Sequence, residues 1–97
     1  MKSTGKSHWE RFRAALAAGD DEKAESLVAL LSPADMPRLL ALAEGGGDGR
    51  WWAIRGLAAL GDEQALPAVV AGLGETDASV RSVAALALAA LYQRHPE

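Results

Sequence analysis

Apolar residues recur along the chain at intervals of three and four, the period of a helix with one buried face. In "SHWERFRAALAAG", Trp9, Phe12 and Leu16 share a stripe, Ser7 and Glu10 have the spacing of a capping box, and Gly19 supplies a stop. "DDEKAESLVALL" places Ala24, Leu27, Val28 and Leu31 on one face behind an acidic start at Asp20 and Asp21. The third stretch, "SPADMPRLLALAEGGG", begins on Ser32 with Pro33 in the first helical position and carries Met36, Leu39, Leu40 and Ala43 before a glycine stop. Three further segments, Asp48 to Leu60, Asp62 to Leu73 and Asp77 to about His95, each open on an aspartate that can accept free N–H groups. The pattern predicts six helices and no strand.

The second half repeats itself. With one residue inserted in the loop, Pro37 aligns with Pro67, Leu39 with Val69, Leu40 with Val70, Arg50 with Arg81, Ala53 with Ala84, Leu57 with Leu88 and Leu60 with Leu91. A helix pair that short cannot bury its own apolar faces, so successive pairs must stack. The expected architecture is all-α: a short right-handed α-solenoid of three helical hairpins over about 8–31, 32–60 and 61–95, forming one domain behind a flexible tail at residues 1–7. Trp9, Phe12, Leu27, Leu40, Trp52, Leu57, Val69, Leu88 and Leu91 are the expected core.

Residues 60–91 resemble the HEAT-type repeats, in particular the short variety related to phycobilisome lyases. The matching features are Leu60-Gly61-Asp62, Ala65-Leu66-Pro67, a short acidic loop, and Val80-Arg81 opening the second helix. The likeness extends over 36–60, with Gly49 where the motif usually has valine and Trp51 and Trp52 where small residues are common. Residues 8–31 fit either such a repeat or a tetratricopeptide-like hairpin. The resemblance implies a scaffold that binds other macromolecules without chemistry of its own.

Composition narrows the function. The 97 residues include 10 basic and 13 acidic side chains, a net charge of −3 that argues against a protein built chiefly to grip phosphate backbones. Nucleic-acid binding through Arg38, Arg50, Arg55 and Arg81 is the weakest of three readings, since acidic loops interleave with those arginines. There is no cysteine, so disulfides, thiolate ligands and a cysteine nucleophile are excluded. The apolar run Val83 to Tyr92 is about half of what a membrane span needs, and no signal peptide is visible, so a cytoplasmic, soluble protein is expected.

Candidate chemistry is thin. His8 and His95 lack carboxylates at ligand spacing, "TGKS" at Thr4 to Ser7 lacks the first glycine and the strand of a phosphate-binding loop, and the acidic clusters sit at helix starts. No cofactor, metal or catalytic residue is expected. Arg50 and Arg81 are expected to tie adjacent loops to Asp48, Asp62 or Asp77.

The two adjacent tryptophans pose the sharper question, because they project about 100° apart on a helix. Trp52 falls toward Ala53, Gly56, Leu57 and Leu60 and belongs to the core, with Gly56 expected to make room for its ring. Trp51 points the opposite way and starts a second stripe with Ile54, Arg55 and Ala58. The last helix shows a matching stripe at Ser82, Ala85, Leu86 and Ala89. Together Trp51, Ile54, Arg55, Ala58, Ser82, Leu86 and Ala89 form the expected partner-binding patch. Trp51 fits a packed structural residue or a hot spot for a protein partner, with a self-association contact as the third reading. The last helix, apolar nearly all round, also suits a homodimer through Leu86, Ala89, Ala90 and Tyr92.

Overall fold

The computed structural model describes residues 7–45 and 47–94. Its elements are α1 (His8–Ala18), α2 (Asp21–Val28), α3 (Met36–Ala43), α4 (Gly47–Leu60), α5 (Leu66–Leu73) and α6 (Ala78–Arg94), with short 3-10 turns at Pro33–Asp35 and Glu63–Ala65. No strand occurs among the described residues. The tail expected at residues 1–7 lies outside them except for Ser7, as does His95.

Capping sets the first hairpin. Ser7 accepts from the Glu10 N–H while the Glu10 carboxylate accepts from the Ser7 N–H, and Gly19 ends α1 at φ 71°, a left-handed conformation that glycine adopts without strain. Asp20 then caps α2 by accepting from the Lys23 N–H. Ser32 and Asp62 cap the third and fifth helical segments as expected, with a 3-10 first turn in each. Both residues open a 3-10 turn, and α3 and α5 begin one turn later, with Pro37 and Pro67 in their first turns. A proline lacks the N–H that a continuing helix would use, so it fits where that donor would be free anyway.

The hairpins pair α1 with α2, α3 with α4 and α5 with α6. They stack along a body of 47 × 28 × 21 Å, and α4 lies in the middle, packed on α3 and α6 and touching α1, α2 and α5. The core runs unbroken through Phe12, Leu39, Ile54, Leu57 and Val69, all fully buried. Leu27, Trp52 and Leu91 are buried as expected. Trp9, Leu40 and Leu88 are partly buried at the edge of this core. Trp9 has the Arg38 guanidinium 6.0 Å from its ring, and all three residues pack against the buried core.

Trp52 joins the first two hairpins. Its ring meets Phe12 edge-on, 6.2 Å between centroids, and Phe12 in turn meets Trp9 at 5.7 Å. Gly56 makes room for other side chains than the one expected. A methyl group there would lie 3.0 Å from both Leu31 and Leu39, so the glycine admits these two leucines rather than the Trp52 ring.

A buried carboxylate fastens the turn before α3. Asp35, only 2% exposed, accepts from the Ser32 N–H at 2.9 Å, pairs with His8 at 3.0 Å and meets Arg38 at 3.3 Å. Burial alone would raise its pKa; the Ser32 hydrogen bond, then His8 and Arg38, outweigh burial and hold it below the ordinary carboxylate value. The unfolded chain therefore binds this proton more tightly than the native one. The stabilisation is complete above the unfolded value of about 3.9 and is lost as pH falls through the lower native value. Asp35→Asn is expected to cost about 1 to 3 kcal/mol at neutral pH and to flatten the acid limb of stability below about pH 4. Urea midpoints of both proteins across that range check it; parallel curves would count against the role given to Asp35.

Candidate interaction groove

On α4 the buried residues are Trp52, Ala53, Ile54, Gly56 and Leu57, an arc of about 200° at 100° per residue. One partner helix buries about half that arc. The width follows from the position of α4 between two neighbouring hairpins. What remains open is a narrow strip with Trp51, Arg55 and Ala58, all half-buried.

Ile54 is therefore corrected from the expected patch: it is fully buried. Its Cδ1 lies against Gly72 of α5, 2.7 Å from where a β-carbon there would be, in the company of Ala84 and Val80. The third hairpin needs that side of α4. Ala85, which occupies the equivalent place on α6, is exposed because no described hairpin follows it.

The remaining strip faces α6 across a groove of about 610 Å³. Trp51, Arg55, Ala58 and Ala59 form one wall, and Ser79, Ser82, Val83, Leu86, Ala87 and Ala90 form the other. Of the expected patch, the structure brings together Trp51, Arg55, Ala58, Ser82 and Leu86. Ala89 is exposed beside the groove without lining it. The expected patch left out Ala59, Ser79, Val83, Ala87 and Ala90, the last expected only as a dimer contact, although the helical spacing of the α6 members with Ser82 and Leu86 is a signal for one wall.

Trp51 is fixed before any partner arrives. Its ring rests edge-on against Trp52, centroids 4.8 Å apart and planes at 72°. Arg55 is held by an ion pair with Glu25 of α2, a partner thirty residues away that neutralises the only cation in the groove wall. A second hollow of about 320 Å³ shares Trp51 and Ser79 with the groove and is lined further by Asp21, Asp48 and Trp52.

The three other arginines of the nucleic-acid reading, Arg38, Arg50 and Arg81, are also engaged. Arg50 reaches Glu75 at 2.7 Å, and Arg81 donates to the carbonyls of Glu75 and Thr76, each at 2.8 Å. The loop tie expected for both thus holds, but through Glu75 and backbone oxygens rather than Asp48, Asp62 or Asp77. Arg38 is bound to Asp35. Guanidinium groups consumed this way do not form the free basic stripe that a nucleic-acid backbone requires.

Chemically the groove offers an indole, a paired guanidinium, two hydroxyls and aliphatic carbon, which suits binding rather than bond making. Among the described residues no group of His, Asp and Glu is arranged to hold a metal ion. Nor is any described helix long and apolar enough to cross a membrane.

A family model for HEAT repeats matches residues 36–97, without singling out the phycobilisome-lyase variety. Comparison with curated proteins and with solved structures finds no match.

Proposed function

We propose that this chain, which belongs to the HEAT repeat family, is a non-catalytic adaptor or small inhibitor that takes a protein partner in the groove between α4 and α6. HEAT repeats in general mediate protein–protein interaction through non-catalytic scaffolds. The observation that carries the reading is the composition of this groove: a braced tryptophan on one wall and, on the other, Leu86 at 72% exposure. An aromatic anchor held rigid beside exposed aliphatic surface loses little freedom on binding, which is how a few residues come to dominate an interface. Absence of cysteine fits work in a reducing compartment.

Trp51→Ala is expected to weaken partner binding by about 2 kcal/mol, roughly thirtyfold. The matching experiment retains partners from native-host extract on wild-type protein and on Leu86→Glu, with melting of both followed by circular dichroism. Leu86→Glu should melt like wild type and lose what the wild type holds. Equal retention by the two proteins would remove the groove as the site.

A further inference from the structure

The hollow that shares Trp51 and Ser79 with the groove differs from it in charge. Its wall includes the carboxylates of Asp21 on α2 and Asp48 on α4. Both are exposed, and neither has a hydrogen bond or an ion pair among the described residues. Helix capping does not account for them. Asp20, Asp62 and Asp77 each accept from a backbone N–H at a helix start, whereas Asp21 and Asp48 stand in the first turns of α2 and α4 and accept from none. The nearby cations are committed elsewhere, Arg50 to Glu75, Arg55 to Glu25 and Arg81 to backbone carbonyls. The hollow thus carries negative charge with no positive side chain in its wall.

Trp52 supplies a second, independent feature. It lines the same hollow while only 7% exposed, and its indole N–H meets no acceptor among the described residues. Buried indoles usually find such a partner, so this donor is left for whatever enters. Carboxylates, indole faces and a free N–H together suit a basic side chain arriving on a peptide. A guanidinium or ammonium group is attracted by both carboxylates and by the ring faces, as the Arg38 guanidinium already lies 6.0 Å from the Trp9 ring. The peptide carbonyl beside it can accept from Trp52. A metal ion is a poorer occupant, because no third His, Asp or Glu joins the two carboxylates.

We propose that the partner segment seated in the groove carries a lysine or arginine that enters this hollow, while an apolar residue of the same segment packs on Leu86. The inference rests on the groove reading and adds the charge of the partner to it. The net charge of −3 works in the same direction, favouring encounter with a basic surface.

Proton–nitrogen correlation spectra of the indole N–H groups test this, with N-acetyl-leucyl-arginine amide as the probe and its citrulline analogue, similar in shape but uncharged, as the control. The arginine probe is expected to shift the Trp51 and Trp52 signals saturably and to leave Trp9 in place. The citrulline probe should bind about fivefold more weakly, and Asp21→Asn/Asp48→Asn should weaken the arginine probe to the same extent at unchanged helical circular dichroism. Equal binding of the two probes, binding unchanged in the double variant, or no saturable shift overturns the proposal. If the double variant fails to fold, the citrulline comparison alone decides. Retention from native-host extract keeps the two readings apart. A partner lost on Leu86→Glu but held undiminished by Asp21→Asn/Asp48→Asn leaves the groove standing and overturns the basic side chain, whereas equal retention on Leu86→Glu and wild type removes the groove reading and this proposal with it.

Discussion

Replacing Trp52 by alanine is expected to lower stability by about 3 to 5 kcal/mol, a large part of what a chain this size has. The indole is 7% exposed and packs edge-on against Phe12 on one side and Trp51 on the other. Its removal opens a cavity where the first hairpin meets α4. The void cannot close easily, because Phe12 is held from behind by Trp9 and Trp51 is anchored on its own helix turn. Trp51→Ala removes a ring of equal size but half-exposed, so its stability cost should be well below that of Trp52→Ala. Urea denaturation of the two variants side by side checks the ranking. Equal losses would make Trp51 a structural residue and deprive the groove of its anchor.

Ile54→Ala is expected to cost about 2 to 5 kcal/mol, toward the upper end of that range. Ile54 fills the seam between α4 and the third hairpin, and the position it touches is Gly72, which has no side chain to move into the vacated space. Ala84 contributes only a methyl group there. A surface residue would cost no more than about 0.5 kcal/mol, so the denaturation midpoint separates the buried placement from an exposed one cleanly.

Ile54 also shows where the sequence stops being readable. A helical wheel assigns one core direction per helix, and Ile54 falls outside the direction set by Trp52, Gly56 and Leu57. A helix in the middle of a stack has two neighbours and therefore two buried flanks, a fact that belongs to the assembly and not to the local period. The same wheel placed Trp51, Arg55 and Ala58 on the strip left open, because that strip lies opposite the arc from Trp52 to Ile54 that the neighbouring hairpins bury.

Local chemistry was the most legible. The Ser7 and Glu10 box and the Gly19 stop are where spacing puts them, since each depends only on atoms a few residues apart. The caps at Ser32 and Asp62 are also where spacing puts them, but the 3-10 winding of the first turn before Pro37 and Pro67 is not legible from residue spacing. Ion pairs were the least legible. Asp35 and His8 lie 27 residues apart, Arg55 and Glu25 lie 30 apart, and the loop between α5 and α6 offers Glu75 and Asp77 to Arg50 at nearly the same chain distance. Only the stacking of hairpins chooses among them.

The claim that the α4–α6 groove is where a partner protein sits is tested most directly by placing a photo-crosslinking amino acid at position 86, and separately at the exposed position 30, and irradiating the chain in extract of its native host. The account predicts an adduct of a distinct protein at position 86, absent at position 30 and lost when Trp51→Ala is added. Adducts of equal strength at both positions, no adduct at position 86, or an adduct there with a second copy of the chain would contradict it.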